Sequence, residues 1–501
     1  MNLFSSLLLL VLTVTSQLVA ATQSSVSQWD ITWYFDKEYE VGQFANGDWW
    51  VVGPVTITRI TPDAVTDATG LHNGWEVNPL PSRGTHAFDS RIRSVDPSLM
   101  PELPYVAQPG ESIAKTISTE PYDETNCRPC LRTAAILTVV SEIPPDSGKT
   151  VFRPPYVGTK KPYYFVTDLQ LDLLPSYEPV PMAPTLEEVY NNFKRVRFDH
   201  VPGVNQLLRP ADCLPFYAAN VNQQTGDAAL RLMLNDPIED KMPALIVYVQ
   251  GGIDYYHFLL NGQTWPGGSG EQPGNILPML FAVTLLGKED MKDSLRAYIE
   301  ADNGFPYEKG TVHYNADSSL ALWGHTHSLK TDREHYERVY WQNLGHYVGG
   351  SKTIADPYGY IDGGFIPGGG YQYCCTSQPF KSTVTVMHLM PSIKEIWDPQ
   401  PLYDYVDRWV EFGTWTQPDP CAPPESTMDN YGITFGPDPN NPGDCIYDTD
   451  SSDGIGRFPE LHGTNRDGGL RKSYFVAYML SLIHISEPTR PLYISYAVFC
   501  L

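Results

Sequence analysis

The chain has 501 residues, of which 34 are basic and 58 acidic, so its formal net charge is -24. This acidity argues against nucleic acid or an anionic membrane as a partner, because binding phosphate requires a basic field. It does not exclude an anionic polymer in salty water, where screening shortens the reach of the global field and local cations decide. The length suffices for two or three domains or for one large toroid.

The amino terminus has the features of a secretory signal peptide. An apolar run extends from Leu7 to Leu12, and small residues follow at positions 19–21, although Lys and Arg are missing ahead of the run. The run is too short for a bilayer span and is soon interrupted by polar residues. We therefore predict a signal peptide at residues 1–21 and a secreted, extracellular mature protein without membrane insertion.

Residues 22–180 have the pattern of a β-rich region. Short alternating runs are separated by Gly, Pro, Asn and Asp, which is typical of strands joined by turns. The predicted strands cover residues 31–35, 49–52, 55–60, 133–140 and 163–167. In the turn-rich segments, Trp49, Trp75 and Arg91 are candidates either for the core or an ion pair, or for contact with a substrate.

Beyond a Pro-rich link at residues 175–184, the apolar spacing becomes helical. The predicted helices cover residues 186–193, 228–234, 242–260, 274–286, 288–300, 333–343, 381–390 and 401–412. Thr185 is predicted to cap the first of them. Successive helices joined by loops of varied length predict an (α/α) barrel or toroid over residues 181–480. The predicted fold class is therefore mainly α, with a β-rich amino-terminal region.

The residues best suited to chemistry lie between Tyr307 and Ser377. Five of the chain's 12 histidines fall between His313 and His346, among tyrosines and arginines. Such a cluster suits general acid/base work on a polar substrate, and the alternative is a wet loop whose imidazoles only form local hydrogen bonds. Trp265, on a glycine-rich loop at 261–274, is either a platform for a sugar ring or an ordinary buried tryptophan.

Cysteine usage and the carboxy terminus give two further expectations. Seven of the eight cysteines precede residue 481, and in an exported chain they suggest disulfides rather than a metal site. Cys421 and Cys445 flank a loop rich in Pro, Asp and Asn and are candidates to pair. We predict no metal and no cofactor. Residues 481–501 closely resemble a translated sequencing adapter, so we expect no specific contribution from them to the fold.

Several short motifs point to one family. They are Gly42–Val51, Asn73–Pro79, Phe88–Arg91, Phe152–Tyr156, Trp323-Gly324, Tyr373–Thr376 and Tyr403–Trp409. Together they resemble secreted bacterial and marine polysaccharide lyases of the (α/α)-barrel type, nearest to alginate and glucuronan lyases. The resemblance implies that an acidic polysaccharide, a β-1,4-linked polyuronate, is cleaved by β-elimination.

Such a lyase must neutralise the carboxylate of a uronate, remove the proton on C5 and protonate the leaving oxygen. The cluster provides a candidate for each role: His325, His327 or Arg338 for the carboxylate and Tyr314 as base and acid. The resemblance does not assign these roles residue by residue. His313 and Tyr373 are second candidates for the proton transfer. The predicted substrate-binding residues are Arg338, Trp265, Trp323, Trp49 and Arg91.

Two other functions stay open. A glycoside hydrolase would need two carboxylates roughly 5 to 10 Å apart. The candidates for that pair are Asp254, Asp317, Asp362, Asp404 and Asp407. A secreted protein that binds carbohydrate without catalysis is the third possibility, and loss of activity on substitution of Tyr314 or His327 would argue against it.

Overall fold

The computed structural model describes residues 21–92, 94–120, 130–198, 217–263, 271–301, 312–314, 320–323, 377–412, 434–437, 441–447 and 474–486. The strands are β1 (Ala21–Gln28), β2 (Ile31–Gln43), β3 (Trp49–Val52), β4 (Val55–Thr61), β5 (Val65–Asp67), β6 (Gly70–His72), β7 (Trp75–Val77), β8 (Tyr105–Ala107), β9 (Ser112–Ser118), β10 (Leu131–Val140), β11 (Val312–Tyr314), β12 (Ala321–Trp323), β13 (Thr434–Pro437) and β14 (Cys445–Tyr447). The helices are α1 (Leu186–Phe193), α2 (Tyr217–Leu232), α3 (Ile238–Leu260), α4 (Glu271–Leu286), α5 (Glu289–Glu300), α6 (Ser377–Leu389), α7 (Gln400–Phe412) and α8 (Tyr474–Ser486).

Eight strands form one curled, mixed sheet in the amino-terminal region. Its order is β7-β9-β10-β3-β2-β4-β8, and β1 also pairs with β2. The β10–β3 pair is parallel, whereas the other pairs in this sheet are antiparallel. The curl gives the sheet the shape of a half-barrel.

The period of two along the strands divides the buried residues of the sheet between two cores. Ile113 of β9 and Leu137 of β10 belong to the core inside the half-barrel. Their neighbours Ala114 and Ile136 belong to the core shared with the helices. Because alternate side chains leave a strand on opposite faces, both strands are buried on both sides. The sheet is thereby joined to the helical part of the molecule.

The predicted mainly α fold, an (α/α) barrel or toroid of hairpins, was wrong. The described residues are 41% helix and 25% strand, and the half-barrel is a large structural unit rather than an appendage. Residues 247–250 of α3 are all buried, and so are residues 274–286 of α4. Four consecutive buried residues cover the whole circumference of a helix, so α3 is enclosed by its neighbours.

Local patterns were more reliable than the predicted assembly. The predicted helix 186–193 is α1, and its cap is as expected: Thr185 Oγ1 accepts from the Glu188 N–H at 3.0 Å. The predicted strand at 163–167 was wrong. Phe165 makes only an isolated bridge to Val151, and Val166–Asp168 is a 3₁₀ turn.

Two observations concern the expectations about membrane and carboxy terminus. Within the described part of the chain, no helix combines the length and apolar character needed to cross a bilayer. Helix α8 continues to Ser486 and buries Ile483. The segment expected to contribute nothing therefore begins inside a packed helix, and its remainder, 487–501, lies outside the described residues.

Candidate functional site

The predicted site residues fall into three groups. One group lies outside the described residues: Trp265, His325, His327, Arg338 and Tyr373. A second group, His313, Tyr314 and Trp323, lies on the β11–β12 hairpin, where Val312 pairs with Trp323 and His313 with Leu322. The third group, Trp49 and Arg91, belongs to the amino-terminal region.

Tyr314 lies at the end of β11, opposite Ala321 of β12, and this hairpin contacts α7. The buried side chains of Val312 and Ala321 hold the hairpin against the helical core. The Tyr314 hydroxyl donates a hydrogen bond to Asp404 Oδ2 of α7 at 2.5 Å. That distance is in the range for a hydroxyl bonded to an ionised carboxylate.

Helix α7 positions both members of this pair. Gln400 Nε2 donates to Asp404 Oδ1 at 2.6 Å, one helical turn away. Arg408 Nε donates to the Ala321 carbonyl at 3.2 Å, which ties the hairpin to the same helix. Asp404 is exposed and Tyr314 is half-buried. A phenol bonded to a carboxylate is an arrangement that can transfer a proton.

Trp49 lies beside a groove of about 490 Å³ along β1, β2 and β3. The side chain is half-buried, and its Nε1 donates to the Ser27 carbonyl at 3.0 Å. The next residue, Trp50, is buried and packs where Gly42 has no side chain, since a Cβ at Gly42 would overlap its ring. Trp49 and Trp50 both line the groove, Trp49 half-buried and Trp50 fully buried. The predicted contact of Trp49 with a sugar stays a prediction.

Arg91 forms an ion pair, which was one of the two roles predicted for it; the other was contact with a substrate. Its Nε and Nη2 donate to the two carboxylate oxygens of Asp89 at 2.9 and 2.8 Å. Nη2 also donates to the carbonyls of Thr119 and Cys130, at 3.1 and 2.8 Å. This side chain joins its own turn to the ends of β9 and β10.

The turns around Asn73–Pro79 and His86–Arg91 pack against each other. Gly74 N–H donates to the Phe88 carbonyl at 2.9 Å, and a Cβ at Gly74 would overlap the Ala87 carbonyl. The buried Glu76 carboxylate accepts from the Ala87 N–H. Only glycine permits this approach of two backbones. These motifs therefore serve the local fold.

A buried ion pair that the sequence analysis missed joins the sheet to α3. Arg153 is fully buried, and its Nε donates to Asp48 Oδ2 at 2.6 Å. Its Nη2 donates to Asp254 Oδ2, and its Nη1 donates to the Pro154 carbonyl at 2.7 Å. Asp48 lies in the turn between β2 and β3, whereas Asp254 lies on α3. One guanidinium therefore bridges two elements far apart in sequence.

Asp254 was predicted only as a possible hydrolase carboxylate, and its environment gives it a different role. Burial raises its pKa to about 6, although the neighbouring Arg153 works in the opposite direction. One signal in the sequence was an Asp within the mainly apolar predicted helix 242–260. Because buried charges are almost always paired, that signal predicts a buried basic partner.

Further expectations concern metal ions and disulfides. Among the residues that the structure describes, no group of three His, Cys, Asp or Glu side chains is placed to hold a metal ion. Cys130 is a thiol, and burial is the main cause that raises its pKa. The predicted Cys421–Cys445 pair stays a prediction, since Cys421 lies outside the described residues.

No family model, no curated protein and no solved structure matches this chain. The resemblance to (α/α)-barrel polysaccharide lyases was therefore wrong as an assignment of family. Two of the motifs that carried it, Gly42–Val51 and Phe152–Tyr156, meet in the Arg153–Asp48 ion pair. Two others are the packed turns at Gly74. In this chain these motifs stabilise a sheet half-barrel.

Proposed function

We propose that the protein cleaves a β-1,4-linked polyuronate by β-elimination, with Tyr314 as the residue that moves the proton. The observation that carries the proposal is the 2.5 Å hydrogen bond from the Tyr314 hydroxyl to Asp404 Oδ2. A neutral phenol cannot take a proton from carbon while it keeps its own. Asp404 is an acceptor for the phenolic proton within transfer distance.

In the proposed reaction the C5–H and C4–O bonds of the uronate break, and a C4=C5 double bond forms. The C5 proton passes to the Tyr314 oxygen as the phenolic proton passes to Asp404. Asp404 then returns its proton to Tyr314, which protonates the leaving oxygen. The C5 proton is acidic only when the substrate carboxylate is neutralised, and His325, His327 and Arg338 remain the predicted residues for that step.

Hydrolysis has less support, because it requires a second carboxylate across the scissile bond. Asp407 follows Asp404 on α7, but its Oδ1 lies 3.3 Å from His388 Nε2 of α6. That contact accounts for Asp407 as part of the packing between two helices, so the described residues supply no second carboxylate beside Asp404 for this reaction. Asp317 and Asp362, two other candidates, lie outside the described residues. Carbohydrate binding without catalysis is the second candidate function, and the groove beside Trp49 favours it.

The test is incubation with alginate, glucuronan and a neutral glucan, with ultraviolet absorbance and reducing ends followed together. Elimination produces a conjugated unsaturated uronate, so both signals should rise on one of the uronate polymers. Reducing ends without absorbance would identify a hydrolase. If neither signal rises on either uronate polymer, carbohydrate binding without catalysis becomes the favoured function.

Tyr314→Phe removes only the phenolic proton carrier, so turnover should fall by about two to four orders of magnitude. Binding of the polymer should stay unchanged. Asp404→Asn should cause a comparable loss, since a carboxamide cannot take the phenolic proton. Tyr177→Phe is the matched control, because it loses a phenolic hydrogen bond to the Leu389 carbonyl and should stay active. Wild-type turnover in Tyr314→Phe would refute the assignment.

A further inference from the structure

The groove beside Trp49 is large enough for a ligand. Its volume of about 490 Å³ falls within the roughly 300 to 1,000 Å³ of sites for small organic ligands. Trp49, Gln23, Gln43 and Lys149 supply its aromatic and polar groups. None of the described residues that line it belongs to the β11–β12 hairpin or to α7. It is therefore separate from the Tyr314–Asp404 pair.

The local charge of the groove is opposite to that of the whole chain. The chain carries a net charge of -24, yet among the described residues that line the groove none is acidic and one, Lys149, is basic and exposed. The exposed carboxylates of Asp146 and Glu40 adjoin lining residues in sequence but do not themselves line the groove. Because salt screens the distant acidic surface, the nearest charge decides which ligand is attracted. The groove therefore favours an anionic ligand over a cationic one.

The Trp49 indole and the backbone of the loop that carries Lys149 are held in place by the fold. The Trp49 indole is fixed by its bond to the Ser27 carbonyl. The loop that carries Lys149 is fixed to the same strands, because Trp50 Nε1 donates to the Ser147 carbonyl at 3.3 Å. Gly148, with φ of +88°, packs so closely on the Gln43 carbonyl that a Cβ would overlap it. A platform positioned in advance binds with a smaller loss of entropy.

We infer that this groove binds a uronate segment of an acidic polysaccharide, apart from the site of cleavage. The flat apolar face of a sugar ring lies on the Trp49 indole, and the uronate carboxylate lies near the Lys149 ammonium. The choice of a uronate rests on the proposed function, whereas an anionic, ring-shaped ligand follows from the groove itself. Such a site keeps the polymer on the protein between successive cleavages.

The test is a titration of the full chain carrying Tyr314→Phe, which prevents turnover, with an alginate hexasaccharide and a neutral cellohexaose as probes. The hexauronate should bind more tightly than the neutral probe. Trp49→Ala should weaken binding of both probes by about threefold to tenfold, because both lose the stacking surface. Trp49→Phe keeps an aromatic ring and should restore most of the affinity.

Lys149→Met separates charge from stacking. It should weaken binding of the hexauronate by about twofold to fivefold and leave binding of cellohexaose unchanged. It should also reduce the salt dependence of hexauronate binding. Lys160→Met, at another exposed lysine that does not line the groove, is the matched control. Equal affinity of the two probes, or wild-type binding by Trp49→Ala and Lys149→Met, would overturn the inference.

The two proposals fail in different ways. Polymer cleaved by the wild type, with wild-type binding in the groove variants, would reject the groove and keep the elimination. Hexauronate bound in the groove, with neither absorbance nor reducing ends on any polymer, would reject the elimination and keep the groove.

Discussion

Replacing Arg153 by Met should destabilise the protein more than any other loss of a single charge discussed above. The side chain is fully buried, and its two carboxylate partners are 3% and 5% exposed. The substitution leaves Asp48 and Asp254 buried without their cation. Removing one partner of a buried pair costs about 3 to 5 kcal/mol, a large part of the roughly 5 to 15 kcal/mol that stabilises a typical domain.

The pH dependence of this loss follows from the pKa of Asp254. Burial already raises that pKa to about 6 with Arg153 present, and removal of the guanidinium should raise it further. A group with a raised pKa in the folded state stabilises the fold when protonated, and that contribution is lost as the pH rises through the folded-state pKa. The difference in the free energy of unfolding between wild type and Arg153→Met should therefore be larger at pH 8 than at pH 5.

Urea unfolding followed by tryptophan fluorescence at both pH values measures this difference. A second substitution, Asp254→Asn, should recover part of the stability by removing one uncompensated charge. Arg59→Met is the control, because the Arg59–Asp63 pair is 59% and 62% exposed and its loss should change the midpoint little. An Arg153→Met midpoint as close to wild type as that of Arg59→Met would refute the reasoning.

Two further predictions concern local structure. Thr185→Ala should lower the free energy of unfolding by about 1 kcal/mol, because it removes the cap of α1, and Thr185→Ser should retain it in the same urea assay. Lys115 is buried, and burial lowers its pKa to about 7. Between pH 7 and the higher pKa of the unfolded chain, the unfolded chain binds one more proton at Lys115 than the folded chain does. The free energy of unfolding therefore falls as the pH decreases towards 7. The stability of wild type relative to Lys115→Met should thus rise by about 1.4 kcal/mol per pH unit from pH 7 to 10. The control is Lys37→Met, at an exposed lysine, whose stability relative to wild type should not change with pH in this way. No change for Lys115→Met over that range, or an equal change for Lys37→Met, would contradict the prediction.

The local elements could be predicted from the sequence because their signals are local. The period of two gives β3 with the bounds predicted, and Thr185 with Glu188 marks the start of α1. The arrangement of the helices could not be derived in this way. Helical spacing indicates that a face is buried, but it does not distinguish a ring of hairpins from an enclosed helix. That residues 274–286 of α4 are buried on every side is visible only in the three-dimensional structure.

The candidate site was predictable only in part, for a related reason. Tyr314 was selected because it lies in a cluster of residues that transfer protons. Its partner Asp404 is 90 residues further along the chain and was considered for another reaction. No spacing rule connects a hairpin to a helix at that distance. The same limit applies to Arg153, whose two partners lie 105 and 101 residues away.

The distribution of positive charge links the fold to the proposed function. Arg153 and Lys115 are buried and bonded to protein groups, so these two basic side chains cannot meet a substrate. A polyuronate must therefore be attracted by exposed cations on a surface that is acidic overall. Lys149 is one of these, and it lines the same groove as Trp49, where none of the described lining residues is acidic. Because screening weakens the distant acidic field more than a direct contact, such a local cation contributes to binding an acidic polymer even though the whole chain is acidic, and the small factor expected for Lys149→Met measures that contribution.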